Sequence, residues 1–104
     1  FDAYGNRGRT YLTLGQYARA IQDFDEAIRL NPQDDRFYIG RGVAYYHLGE
    51  YERSIQDYDE VIGRNPQNAM AYYNRGDAHT KVGQDLEART DYDMACRLDS
   101  KFCK

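Results

Sequence analysis

Two histidines, two cysteines and three copies of an Asp-x-Asp pair are the residues whose types could do chemistry in this chain. His47 and His79 are the only imidazoles, so a general acid or base working near neutral pH would have to be one of them. His79 stands in register with Tyr11 and Tyr45 and faces the core, as a hydrogen-bonded, half-buried ring would. His47 falls on the opposite side of its helix, where it can touch a ligand, but no Cys, Ser or carboxylate in a triad-like arrangement recommends catalysis. Asp23 and Asp25, like Asp57 with Asp59 and Asp91 with Asp93, are not a two-carboxylate site, because residues two apart on a helix point in different directions. Asp25, Asp59 and Asp93 are expected in solvent. Gly40-Arg41-Gly42 has part of a dinucleotide loop, yet Tyr45 replaces the third glycine and no strand precedes it. Cys96 and Cys103 are too few for a structural zinc site and either form a disulfide pinning the chain's end to the last helix or stay as two thiols. No enzymatic activity and no cofactor or metal are expected.

These residues sit in a chain of 104, with 41% hydrophobic and 30% charged residues and a net charge of -3. Mild acidity argues against a nucleic-acid partner, which calls for a strongly basic face. Apolar residues come in short pieces, far from the run of about 20 that a spanning helix needs, so membrane insertion is not expected. The chain opens on Phe1 rather than Met, consistent with a piece of a longer protein. Its 11 Tyr against no Trp point to a residue used repeatedly in one role.

That role is a repeat. AIQDFDEAIRLNPQ and SIQDYDEVIGRNPQ lie 34 residues apart, and the period carries through the chain: Tyr4, Tyr38 and Tyr72 align, as do Gly8, Gly42 and Gly76, Gly15, Gly49 and Gly83, and Phe24, Tyr58 and Tyr92. Fixed periods of this size mean stacked supersecondary units. Within each unit the apolar spacing is helical twice over, first through Tyr4, Gly8 and Tyr11, then through Tyr17, Ala20, Ile21, Phe24, Ala27 and Ile28. Gly15 and its copies can adopt the positive φ that ends the first helix, and Asn31-Pro32 and Asn65-Pro66 end the second. The expected helices are 2–14, 18–30, 36–48, 52–63, 70–82 and 86–98, with repeats at 1–34, 35–68 and 69–102 forming one domain. Glycine inside a helix costs about 1 kcal/mol, so Gly8, Gly42 and Gly76 imply close approach of the paired helix.

The pattern Tyr4-x2-Arg7-Gly8-x2-Tyr11, Ala20-x3-Phe24, Ala27 and Pro32, with its copies, resembles the tetratricopeptide repeat over the whole chain, Tyr standing where the family favours Trp. The resemblance implies an all-α, right-handed α-solenoid of three helix-turn-helix hairpins, six helices in all. Two departures stand out. Arg7, Arg41 and Arg75 replace a usual Leu, each followed 16 residues later by Asp23, Asp57 or Asp91, so a pair between the two helices of a repeat is expected. Ser100 replaces the last proline.

The resemblance further implies a concave groove lined by the first helix of each repeat, serving as a protein-protein interaction scaffold for a peptide or partner protein. Its candidate residues here are Asn6, Arg9, Thr13, Arg36, Ile39, Val43, Tyr46, His47, Tyr73, Asn74 and Asp77, with Asp2, Gly40, Met70, Lys81, Leu12 and Thr80 beside them. Tyr46, Tyr73 and Arg9 are the best anchor types. The Lys and Asn clamp with which some members hold a peptide's C-terminal carboxylate is largely absent, since Gly5, Arg9, Gly40, Met70 and Asn74 occupy its places. Exposed ends of the stack, with Leu86, Tyr92 and Cys96 partly uncovered, offer a second function, homo-oligomers built by end-to-end stacking. A Cys96–Cys103 disulfide would imply an oxidising compartment such as a bacterial periplasm, and free thiols a cytoplasmic one.

Overall fold

The computed structural model describes residues 3–103, which leaves Asp2, one of the groove candidates and the expected first helical residue, outside the described residues. Six helices follow one another: α1 Ala3–Thr13, α2 Tyr17–Leu30, α3 Asp35–His47, α4 Tyr51–Arg64, α5 Ala69–Lys81 and α6 Asp85–Leu98, then a 3-10 turn, Ser100–Phe102. No strand occurs among the described residues. Each second helix starts a residue earlier than the expected bounds, at Tyr17, Tyr51 and Asp85.

The periodic residues explain the boundaries. Gly15, Gly49 and Gly83 hold φ of 78°, 81° and 80°. At that bend Gln16 N–H donates to the Tyr11 carbonyl at 2.9 Å and Gly15 N–H to the Leu12 carbonyl at 3.1 Å, satisfying carbonyls the helix leaves unpaired. The second and third repeats begin on side-chain caps: Asp34 accepts from Arg36 N–H at 3.0 Å, and Asn68 from Ala71 N–H at 3.0 Å.

Packing follows from the small residues. A Cβ on Gly8 would lie 3.0 Å from the Phe24 ring, and one on Gly42 or Gly76 would lie 2.9 Å from Tyr58 or Tyr92. These glycines let the two helices of a hairpin close on an aromatic ring. Gly40, set beside the groove candidates by sequence, also packs under Phe24 of the preceding repeat, its would-be Cβ 2.4 Å from the ring. Phe24 is therefore covered from both sides, and Phe24 and Tyr58 are 0% and 1% exposed. Burying an aromatic of this size contributes on the order of 1.5–3 kcal/mol.

Two tyrosines of one register also tie loops down. Tyr38 donates its hydroxyl to the Pro32 carbonyl at 3.2 Å, and Tyr72 to that of Pro66 at 3.1 Å, fixing each new hairpin against the turn before it. First helices touch one another, α1 with α3 and α3 with α5, whereas second helices do not. The stack consequently curves with α1, α3 and α5 on its inner side. It measures 36 × 25 × 21 Å, and among the described residues no helix is long and apolar enough to cross a membrane.

Candidate functional site

The Arg–Asp pairs come first, because they set how the inner helices sit. Arg7 binds Asp23 through Nε and Nη2, both at 2.8 Å; Arg41 binds Asp57 at 3.0 and 2.7 Å, and Arg75 binds Asp91 at 2.8 and 2.7 Å. Two parallel bonds per pair fix the orientation of one helix on the other. The carboxylates lie almost wholly inside, and burial pushes the Asp57 carboxyl above the usual carboxylate range while Arg41 pulls it back.

Asp25 and Asp59, expected in solvent, have partners instead. Arg41 Nη1 reaches Asp25 at 2.8 Å and Arg75 Nη1 reaches Asp59 at 2.8 Å, so each arginine joins its own repeat to the one before. Their carboxylates remain half exposed. Asp23 and Asp25 thus serve different helices, as their two-residue spacing requires.

On the inner side the curvature leaves two adjoining depressions. The first, about 480 Å³, lies between α1, α3 and the start of α5. Leu12, Ile39, Val43 and Met70 make its apolar floor, with Arg9 and Arg36 at its rim. The second, about 230 Å³, runs from Val43, Tyr46 and His47 to Asn74 and Asp77, with the Tyr58 ring beneath. Val43 belongs to both, which makes one continuous groove.

Its charges are largely committed. Arg36 lies against Asp34, with Nε–Oδ1 at 3.0 Å, and holds that carboxyl below its ordinary range. Asp77 accepts the Tyr92 hydroxyl, and burial together with that bond pushes the Tyr92 phenol up to about 12. Arg9, by contrast, is exposed on the rim. The aromatic wall is built by neighbours: His47 stacks on Tyr17 with ring centres 4.8 Å apart, and Tyr46 meets His47 and Tyr51 edge-on at 5.7 and 5.4 Å.

Of the sequence candidates, Arg9, Arg36, Ile39, Val43, Tyr46, His47, Asn74 and Asp77 therefore converge on the groove. Asn6, Thr13 and Tyr73 line neither depression. Thr13 turns its hydroxyl back to the Arg9 carbonyl at 3.0 Å, and Tyr73 packs against Tyr92 and Phe102 with ring centres 5.3 and 5.1 Å away. Sequence reasoning misses Tyr58, Asn68 and the supporting Tyr17 and Tyr51. Tyr17 and Tyr51 share a repeat register, a signal that marks them as a pair.

The two histidines do not converge on one another. His79 Nδ1 lies 2.7 Å from Gln84 Oε1 and its Nε2 3.6 Å from Asp91, a half-buried ring held between neighbours. Cys96 and Cys103 are joined by a disulfide with Cα atoms 4.5 Å apart. Leu86 is 71% exposed, and its register mates Ala18 and Glu52 are exposed as well, so its exposure belongs to the outer helix face and not to the end of the stack.

The Tetratricopeptide repeat family model matches residues 6–69 and 49–101. The second TPR of Spaghetti (RPAP3), solved bound to the HSP90 peptide SRMEEVD, superposes with a TM-score of 0.90 at 26% identity, covering 93% of this chain and 90% of that one. The TPR domain of Arabidopsis OM64 gives 0.93 at 25% identity over 96% and 83%, and MamA 0.87 at 24% over 91% and 56%, a likeness of fold. No curated protein matches the chain.

Proposed function

Because the chain belongs to the tetratricopeptide repeat family, an all-α solenoid of stacked hairpins, we propose that it is a noncatalytic scaffold that binds a peptide or partner segment along its inner groove. The observation that carries this reading is the continuity of the two depressions through Val43, which joins an apolar floor of Leu12, Ile39, Val43 and Met70 to a more polar stretch carrying His47, Asn74 and Asp77. Ligand sites have that composition, because apolar contact supplies affinity and a few placed polar groups supply orientation. A solved relative with a peptide bound adds support.

The groove suits an extended or helical segment presenting apolar side chains toward Leu12, Ile39, Val43 and Met70, with acidic groups near Arg9. Tyr46, braced by Tyr51 and His47, is the pre-ordered anchor and loses little freedom on binding. A chaperone-type C-terminal carboxylate is not the favoured ligand, since Gly5, Gly40 and Met70 supply no clamp. The disulfide supports work in an oxidising compartment such as a bacterial periplasm.

A peptide array or displayed library, followed by titration of the best binders, tests the reading. Val43→Glu and the Arg9→Ala/Tyr46→Ala double variant should each weaken binding by about tenfold or more. Unchanged affinity in both would place the site elsewhere.

A further inference from the structure

The two depressions of the groove occupy the same place in successive repeats. Moved along by one repeat, Arg9, Leu12, Gly40 and Val43 of the first become Val43, Tyr46, Asn74 and Asp77 of the second. Phe24, which packs on Gly40, likewise becomes Tyr58, which lines the second depression. Position is shared and the side chains are not. Leu12 gives way to an aromatic ring, Gly40 to an amide and Val43 to a carboxylate, while the cation Arg9 gives way to the apolar Val43. The first depression is apolar with a positive rim, and the second is aromatic with a negative charge.

That negative charge is not cancelled within the chain. Asp77 accepts one hydrogen bond, at Oδ1, from the Tyr92 hydroxyl, a neutral donor that burial and this bond keep protonated. Among the described residues no lysine or arginine pairs with Asp77; Lys81, one turn further along α5, is exposed. Tyr46 is held edge-on against His47 and Tyr51, and burial pushes its phenol up, with the Asp77 charge adding to the shift and Lys81 opposing it.

Elsewhere the chain brings tyrosine rings and aspartates together around an arginine. Arg41 lies over Tyr38 and Tyr45, 5.7 and 5.9 Å from the ring centres, while bonding Asp25 and Asp57. Arg75 lies 5.6 Å over Tyr72 while bonding Asp59 and Asp91. A guanidinium suits such surroundings because it is planar, weakly hydrated, attracted to ring faces and forked toward carboxylate oxygens. Tyr46, Tyr58 and Asp77 gather the same residue types around a depression that no arginine of the described chain lines.

We propose that the second depression is a subsite for an arginine side chain of the partner segment, with Asp77 receiving the guanidinium and Tyr46 flanking it. The proposal rests on the groove reading above and adds a residue-specific requirement to it. The cavity of about 230 Å³ is smaller than the roughly 300–1,000 Å³ that whole small-molecule ligands occupy, so a single side chain suits it better. Its opening at Val43 into the apolar depression lets the chain that carries the arginine continue over Leu12, Ile39 and Met70. Charge then sets the direction of the segment: its arginine belongs at α5 and an acidic group at Arg9, whereas the reversed segment sets arginine against Arg9 and loses both contacts.

Selection of a randomised displayed peptide library on the 104-residue chain, disulfide intact, followed by titration of the best binder, tests this. Selected peptides should share one arginine. Replacing it with citrulline, which keeps the shape and removes the charge, should weaken binding to the wild type about tenfold, and replacing it with lysine about threefold or more. Asp77→Asn keeps an acceptor for Tyr92 and removes the charge; it should weaken the arginine peptide about tenfold and leave the citrulline peptide unchanged. Tyr46→Leu, which installs the residue of the first depression at this register, should narrow the gap between the two peptides. Circular dichroism checks the fold of each variant, and the citrulline and lysine comparisons on the wild type need no variant. Peptides without a shared arginine, a citrulline or lysine peptide that binds the wild type equally well, or equal losses of both peptides in Asp77→Asn overturn the subsite and leave groove binding standing. Binding untouched by Val43→Glu places the peptide outside the groove, and a wild type that binds no peptide removes the groove and the subsite together.

Discussion

Arg41 and Arg7 are the same residue at the same register, bonded to the same kind of buried aspartate, yet they live in different surroundings. Arg41 is held between two carboxylates and lies over the rings of Tyr38 and Tyr45, with most of its side chain covered. Arg7 has one carboxylate and lies largely in water. In a stacked repeat, then, the motif sets the pairing and the neighbour sets its strength. Water near Arg7 screens its interaction, whereas burial around Arg41 makes its loss costly.

The largest expected effect breaks that contrast directly. Arg41→Ala leaves the Asp57 carboxylate buried without its partner and should lower stability by about 3 kcal/mol or more, read from urea unfolding. Arg7→Ala should cost clearly less, because water can reach Asp23 from the open end. Equal losses would show that the neighbouring repeat contributes nothing.

The same variant sharpens the point through pH. Burial already raises the Asp57 pKa, and removing Arg41 takes away the group that lowers it. In the window between the unfolded carboxylate value and the raised folded one, the native state binds more protons than the unfolded chain, so stability falls as pH rises. The deficit of Arg41→Ala relative to wild type should therefore shrink as pH is brought from neutral toward about 4, the ordinary carboxylate range. A deficit that grows on acidification would contradict a buried, unpaired Asp57.

Glycines give the next pair. Gly40→Ala drives a Cβ to 2.4 Å from Phe24 across the first seam and should cost about 1–3 kcal/mol. Gly63, also helical, has nothing within 4 Å, and Gly63→Ala should gain up to about 1 kcal/mol from helix propensity alone. Thermal unfolding of both variants distinguishes the packed glycine from the free one. The smallest contrast lies between a carboxylate that crosses a seam and its exposed register mate: Asp25→Asn should cost under about 1 kcal/mol, and Asp93→Asn should be neutral. A larger cost at Asp93 than at Asp25 would reverse the seam-and-end distinction.

Much of this architecture is legible in the residues alone. Gly15 and its copies, the Asn-Pro stops and the apolar stripes mark the six helices, because capping, φ preference and period are local properties of the chain. The Arg7–Asp23 pair and its copies follow from threefold recurrence on two facing stripes. The partner of Asp25 escapes that reading although its signal is present, since Asp25 precedes Arg41 by the same 16 residues that separate Arg41 from Asp57. A helical wheel places Asp25 off the stripe of its own hairpin and cannot say that another hairpin will come to it. Gly40 lines the first depression, but its packing under Phe24 escapes that reading for the same reason, and Tyr73, favoured as an anchor, is a packing ring against Tyr92 and Phe102.

What the order of residues settles is the unit: its length, its two helices, the turn between them, and the aromatic and ion-paired contacts inside each hairpin, all of which repeat with the period and need only local geometry. What the units make together is settled in three dimensions. How sharply the stack curves, which depressions open on its inner side, and which face each end presents depend on the angle and distance at which one hairpin crosses the next. Those are set by how rings such as Phe24 and Phe37 fill the space left by glycines in the neighbouring repeat, and no period read along one chain contains them.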